Sequence, residues 1–293
     1  MVVSIGLVGA GRRAREAYAP ALASCPEVRF SGLWGRTHDT ARALADQYGV
    51  PAHHSFDELM NDCEAVVFAV PPAVQPDLAV GAARRDKSML LERPISGDVA
   101  GAEQMVDEII RTQVVTQLAL AWRYAIVVRE FLSNKVPKTW PKGGTARVVS
   151  PMVRDHGSPG PWQLERAVLQ YRGPDLLDLL EAALGRIVGI RARADPPGRF
   201  GLTLEHQIGH YSEASLCGTT TGSTEVATVE IFGPGGATAI DCAGVDGPET
   251  HETMIREFAE AVGNGRSPDL DVNHGMHLQI LLESAETDLV AGR

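Results

Sequence analysis

The stretch Val2-Val3-Ser4-Ile5-Gly6-Leu7-Val8-Gly9-Ala10-Gly11-Arg12-Arg13-Ala14 decides how the first part of the chain is read. The apolar run up to Val8 has the composition of a strand buried on both faces. It ends on Gly9-x-Gly11-x-x-Ala14, and a helical pattern runs from Ala14 to Ala23. Each small residue has a task at such a junction. Gly9 permits a tight turn, Gly11 lets a bulky anion approach the backbone, and Ala14 lets the helix pack closely on the strand. The amino end of the helix faces the anion with unpaired N–H groups and a positive dipole. Strand, loop and helix in this order imply a dinucleotide pyrophosphate bound at Gly9, Ala10 and Gly11, with Arg12 and Arg13 adding positive charge.

The alternation continues outward from this loop. Strands are expected at Val28–Leu33, Ala65–Val70, Ser88–Leu91 and Val114–Leu120, separated by helices at Asp39–Tyr48, Val74–Arg84 and Val99–Arg111. Two successive β-α-β halves make a doubly wound (Rossmann) parallel sheet, so residues 1–120 read as a nucleotide-binding domain. The pattern changes after about Ala121. A helix over Ala125–Leu132, a Pro/Gly/Lys-rich turn at Val136–Gly144, a strand over Thr145–Val153 and a loop at Gly157–Trp162 precede a helix over Asp175–Leu184. Alternating segments follow at Ile187–Ala194, Leu202–Leu216, Thr224–Phe232 and Ala237–Cys242, then helices at Thr253–Val262 and His277–Val290. Residues 121–293 therefore read as an α+β domain with an open, mainly antiparallel sheet, used for substrate binding and oligomerisation.

Composition limits the function classes. The 293 residues suit two domains, and 44% apolar with 22% charged content is that of a globular protein. A net charge of −10 argues against nucleic acid or an anionic membrane as partner. Cys25, Cys63, Cys217 and Cys242 stand far apart, without Cys-x-x-Cys or a nearby histidine pair, so no metal is expected. His206 and His210 are read as a surface or interface pair, and His53-His54 as solvated. With no apolar stretch long enough to span a bilayer and no leader pattern, the expected location is cytoplasmic. The exposed face of the second sheet suggests a homo-oligomer, a dimer or tetramer.

The end of the second strand separates the two nicotinamide dinucleotides. An acidic residue there would take the ribose hydroxyls. This chain reads Trp34-Gly35-Arg36-Thr37-His38, with no carboxylate before Asp39. Arg36 and the Thr37 hydroxyl, with His38 beside them, suit a 2′-phosphate, and NADP(H) is the expected cofactor.

Further motifs carry a family resemblance. Leu90-Leu91-Glu92-Arg93-Pro94 stands at the fourth strand and Ala69-Val70-Pro71-Pro72 at the third. Trp122-Arg123-Tyr124 follows the fifth, and Pro161-Trp162 and Gly173-Pro174-Asp175-Leu176-Leu177-Asp178 come later. With the glycine loop, their order resembles the Gfo/Idh/MocA (glucose–fructose oxidoreductase / inositol dehydrogenase) family across nearly the whole chain. The resemblance implies that Val70, Pro71, Glu92, Arg93, Arg123 and Trp162 also lie at the cofactor. It further implies that a lysine at position 93 and an Asp-x-x-x-His pair on the later helix do the chemistry. Here those positions hold Arg93, Asp178 and Ala182, and Gln75 stands near the place of another family histidine.

Arginine polarises a carbonyl but is a poor acid or base, and alanine moves no proton. The leading expectation is therefore reduction by NADPH of a small carbonyl or imine substrate. Arg93 polarises the acceptor, and Tyr171, Asp178, Tyr124 or Glu181 supplies the proton. A second reading is an NADP(H)-binding protein with a regulatory, scaffolding or other non-redox role. A third is a sugar or polyol dehydrogenase with a relocated base.

Overall fold

A computed structural model describes residues 2–150, 161–195, 199–218 and 225–291, with the backbone alone at 161–167, 195 and 291. The chain divides into two compact units, the first made of residues 1–120 with 247–279 and the second of 121–246 with 280–293.

The first unit is built on five parallel strands: β1 (Val3–Val8), β2 (Val28–Trp34), β3 (Ala65–Phe68), β4 (Ser88–Leu91) and β5 (Thr116–Leu118). Their spatial order is β2-β1-β3-β4-β5, the doubly wound arrangement in which the crossover reverses beside β1. Every residue of β1 and β3 is buried, as a strand covered by helices on both faces requires. After the glycine loop comes a π-helical turn, Ala14–Tyr18, and then α1 (Ala19–Ser24). The later helices are α2 (His38–Tyr48), α3 (Phe56–Asp62), α4 (Gln75–Ala83) and α5 (Val99–Thr112). Gly49 stops α2 in the left-handed conformation at φ 64°, and the Asp98 carboxylate caps α5 by accepting the Gly101 N–H at 2.7 Å.

Helix α3 was not expected from the sequence. Ser55 caps it, its Oγ accepting the Glu58 N–H at 3.1 Å, while the Glu58 carboxylate reaches back to the His54 N–H at 2.8 Å. This is a variant of the capping box, and the Ser55-x-x-Glu58 spacing was its signal.

The second unit opens with a 3-10 turn (Ala121–Tyr124), α6 (Ile126–Glu130) and a second π turn (Phe131–Lys135). Its six-stranded sheet comprises β6 (Gly143–Val149), β7 (Ile187–Asp195), β8 (Arg199–His206), β9 (Tyr211–Cys217), β10 (Val226–Gly233) and β11 (Gly236–Asp241). The order is β11-β10-β6-β9-β8-β7, with β6 and β9 parallel and the other pairs antiparallel. Strict alternation buries Phe200, Leu202, Leu204, Ala214, Leu216, Val229 and Ile231 on one face, and α7 (Pro161–Leu184) packs on β6, β8 and β9. The opposite face carries Thr145, Arg147, Thr203, Tyr211, Glu213 and Glu230, all exposed.

Four expectations need correction. Leu202–Leu216 is two strands joined by a turn in which Gly209 takes φ +76° and donates to the His206 carbonyl at 2.9 Å. The expected loop at Gly157–Trp162 lies at 157–160 outside the described residues, while Pro161-Trp162 already belongs to α7. Gly173-Pro174 is inside that helix and does not start it. A Cβ on Gly173 would come within 2.9 Å of Leu282 Cδ2, so the glycine serves close helix packing, and Pro174 forgoes one backbone bond. Finally, 121–293 is not one continuous unit. Helix α8 (Pro248–Asn264) and the start of α9 (Val272–Ala291) return to the first unit and close its β5 edge. There Thr116 N, Gln117 Nε2 and Leu118 N donate to Ser267 Oγ, Met254 O and Leu270 O. An edge strand with unpaired backbone groups is covered in this way.

Candidate active site

In a doubly wound sheet the binding crevice opens at the carboxyl ends of the strands. The glycine loop follows β1, Gly35–His38 follows β2, Ala69–Pro72 follows β3, and Glu92-Arg93 follows β4. The first unit therefore lines up along one edge nearly every residue expected to hold a dinucleotide.

Gly9 takes φ +118°, and a Cβ there would lie 2.3 Å from the Ala69 carbonyl oxygen. Only glycine satisfies both the backbone and the neighbouring loop. A Cβ on Gly11, in contrast, meets nothing within 4 Å. Protein packing does not demand glycine at Gly11, and the open space beside it fits the close approach of a pyrophosphate. Ala14 is fully buried, as close contact with the sheet requires.

Arg36 and Thr37 are exposed beyond β2. Thr37 is the N-cap residue of α2, yet its hydroxyl caps nothing, so the side chain is not consumed by the helix. His38 stacks on His54 with ring centroids 4.0 Å apart and planes at 19°. Arg12 reaches only a loose, exposed pair with Glu16 at 3.9 Å, which contributes little.

At the end of β4 the geometry is tighter. Glu92 is buried, and its Oε1 accepts the Arg13 Nε–H at 2.7 Å and the Tyr18 hydroxyl. Its Oε2 accepts the Arg93 backbone N–H at 3.2 Å and faces Arg93 Nη1 at 3.4 Å. Gln75 fixes the backbone, donating to the carbonyls of Glu92 and Ile95 and accepting the Glu92 N–H, each at 2.9 Å. Burial pushes the Glu92 carboxyl up, but Arg13, then Arg93, then the Tyr18 hydroxyl outweigh it and hold the group below the usual carboxylate range. Burial first and the Glu92 charge second raise the Tyr18 hydroxyl well above its ordinary value.

The structure thus joins three expected residues, Arg13, Glu92 and Arg93, and adds Tyr18 and Gln75. Tyr18 escaped sequence reading because α-helical phase places it off the face of Arg13. The Gln75 signal was its place just after the proline pair.

In the second unit Arg123 Nη1 donates to Asp178 Oδ1 at 2.9 Å, and the Asp178 side chain is 1% exposed. Tyr171 is half-buried with the Arg172 guanidinium 5.0 Å over its ring. Glu181 accepts the Ile187 N–H at 2.9 Å and so braces the exit from α7. The Trp162 side chain lies outside the described residues.

His206 and His210 are buried within the chain and are not the expected surface or interface pair. His206 Nδ1 meets the Gly185 carbonyl at 2.6 Å and its Nε2 meets Ser212 Oγ at 2.9 Å, while His210 Nδ1 meets the Leu184 carbonyl at 3.2 Å. Carbonyls at a helix C-terminus have no partner within the helix, and these imidazoles supply one. Burial lowers the His206 pKa.

Among the described residues, no group of three or more His, Cys, Asp or Glu could hold a metal ion, and no helix is long and apolar enough to cross a membrane.

Comparison with known proteins agrees with this geometry. The chain is similar to glucose-6-phosphate 3-dehydrogenase of Bacillus subtilis, 28% identical over 120 residues, covering 41% of this chain and 34% of that protein. It is also similar to dTDP-3,4-didehydro-2,6-dideoxy-α-D-glucose 3-reductase of Streptomyces violaceoruber, 29% identical over 105 residues, covering 35% and 31%. The matched stretches thus span about a third of these relatives' length. The fold is similar to that of GenD2 from gentamicin A biosynthesis, solved in complex with NAD, with TM-score 0.85, 18% identity and coverage of 100% of this chain and 95% of that one. Residues 3–120 match the family described as an oxidoreductase family with an NAD-binding Rossmann fold. Through these residues the chain is similar to the Gfo/Idh/MocA oxidoreductase family.

Proposed function

We propose that this protein is an oxidoreductase that uses NADP(H) and acts as a reductase of a small carbonyl or imine compound, with keto-sugars the leading class. The observation that carries the cofactor reading is the pairing of an exposed Arg36 with an uncommitted Thr37 hydroxyl, where an NAD-type site would present a carboxylate. Residues Gly9–Arg13 would take the pyrophosphate, and Val70 and Pro71 would flank the nicotinamide side. When bound, the cofactor supplies the hydride. Glu92 holds Arg93, whose guanidinium would hydrogen-bond the acceptor oxygen or nitrogen and draw negative charge onto it.

Keto-sugar chemistry is supported by the two relatives, named for a sugar 3-dehydrogenase and a didehydro-sugar 3-reductase. Reduction is favoured over polyol oxidation because position 182 is alanine and Asp178 is bound to Arg123. Tyr171 is proposed as the proton source, and a homo-oligomer through the outer face of the second sheet as the assembled form.

Dissociation constants for NADPH and NADH test the cofactor reading. Tighter NADPH binding is expected, and tighter NADH binding, as the NAD complex of GenD2 would suggest, overturns it. Single-turnover absorbance of bound NADPH, mixed with keto-sugars and cyclic imines, tests the reaction. Tight binding without oxidation by any acceptor would favour the non-redox reading.

A further inference from the structure

Glu92 receives donors from two elements far apart in sequence. Arg93 is its chain neighbour, whereas Arg13 and Tyr18 come from the helix that follows the glycine loop. Arg13 and Tyr18 are five positions apart. In a regular α-helix such positions point about 140° away from each other. Between them lies the π turn Ala14–Tyr18, where the Ala19 N–H donates to the Ala14 carbonyl with i→i+5 spacing. The wider turn brings positions five apart onto nearly the same side, and π turns recur at functional sites. The helix here departs from its regular path, and the result is that both residues meet one carboxylate oxygen. Tyr18 is fully buried, its ring lies under the Arg13 guanidinium at 5.6 Å, and the His251 ring meets its edge at 6.2 Å.

We propose that Tyr18 is a positioning residue: together with Arg13 it occupies Glu92 Oε1 and so commits Oε2 to Arg93, coupling the glycine loop to the arginine at the end of β4. The helix that presents its amino end to a pyrophosphate also carries the donors that orient Glu92, so cofactor binding and Arg93 geometry become one linked property. A buried carboxylate between two arginines could rotate to serve either, and a third donor on one oxygen removes that freedom. This inference rests on the NADP(H) reading of the same loop.

The test uses the full-length protein and NADP+, which tolerates acid better than the reduced form. Its dissociation constant is followed from pH 7 to pH 3.5 for the parent, Tyr18→Phe and Glu92→Gln. If the network couples loop to carboxylate, Tyr18→Phe weakens binding by about two- to tenfold. The acid loss of affinity moves up by about half a pH unit or more, because the carboxylate has lost a donor to its charged form. Glu92→Gln removes that acid step. Parent and variant share the cofactor phosphates and the surface histidines, so the difference between profiles isolates the network. Superimposable profiles for the parent and Tyr18→Phe overturn the proposal.

A second readout needs no cofactor. The guanidinium NH signals of Arg93, assigned by their loss in Arg93→Lys, are expected to be protected in the parent and averaged by fast rotation in Tyr18→Phe. Unchanged protection in Tyr18→Phe overturns the proposal. A parent that binds neither NADP+ nor NADPH overturns the cofactor reading instead, and the arginine signals still decide the role of Tyr18.

Discussion

The carboxyl edge of the first sheet and helix α7 of the second unit both set arginine against a buried carboxylate, but they are built differently. At the edge, Glu92 is shared by Arg13 and Arg93 and locked from behind by Gln75, and its partners come from three separate loops and helices. On α7, Asp178 accepts from Arg123 in a stretch of helix where Leu176, Leu177, Leu179 and Leu180 are fully buried. The first is an assembly of backbone turns that leaves open space at Gly11 for a ligand. The second is a charged pair held on a helix among buried leucines. The contrast assigns binding geometry to turns and fold stability to side-chain burial, and each assignment can be broken separately.

The largest effect is expected at Gly9. With φ +118° and the Ala69 oxygen 2.3 Å from a would-be Cβ, Gly9→Ala strains the backbone and pushes the β1 and β3 loops apart. Such strain costs about 1–3 kcal/mol before the clash is counted, and NADPH affinity should fall by about a hundredfold or more. Titration of the variant with NADPH checks it, and near-parental affinity would mean that the loop does not form the binding cradle.

Breaking the other half of the contrast should cost stability. Asp178→Ala leaves Arg123 without its carboxylate, and because the Arg123 side chain is 25% exposed the loss is placed at about 1–3 kcal/mol, below that of a fully buried pair. Urea unfolding measures it. The double variant Arg123→Met/Asp178→Leu should recover most of the loss if the pair is structural, since apolar residues of similar volume often replace buried pairs without cost. Failure to recover stability would show that Arg123 and Asp178 act independently.

The same contrast governs what could be read from residues alone. Gly9, Gly11 and Ala14 announce a turn by type and spacing, and β1 to β5 announce themselves by short apolar runs, so the first unit was legible nearly strand by strand. The π turn was not, because its sequence Ala14-Arg15-Glu16-Ala17-Tyr18 has ordinary helical composition, and the contact that goes with it, Tyr18 on Glu92, joins residues far apart in the chain. In α7 the Gly173-Pro174 pair imitated a helix start, although its glycine answers to Leu282 across a helix contact. The His206–His210 turn stayed hidden for a related reason: alternation runs through β8 and β9 alike, and only Gly209 breaks it.

A smaller effect is expected at the specificity end of the edge. Arg36→Ala should weaken NADPH by about tenfold, equivalent to about 1.4 kcal/mol, and leave NADH nearly unchanged, because an exposed arginine contributes one charge-assisted contact. Equal losses for both cofactors would reassign Arg36 to the loop's own structure and remove the main support for a 2′-phosphate.

The smallest effect belongs to the turn that ties the sheet to α7. His206 is buried between the Gly185 carbonyl and Ser212 Oγ, and burial lowers its pKa in the folded chain below the ordinary value of about 6.5. The unfolded chain therefore binds the proton more readily. The contribution of the neutral imidazole is fully present above about pH 6.5 and is lost as pH falls through the lower folded value. Parent stability should decline across that interval, measured by urea unfolding at stepped pH. In His206→Gln, an amide can still donate to the Gly185 carbonyl but does not titrate, so this part of the decline should vanish while stability at pH 8 changes little. An identical slope in parent and variant would move the acid sensitivity away from the turn and onto the carboxylates, with Glu92, whose folded pKa is also depressed, the first group to examine.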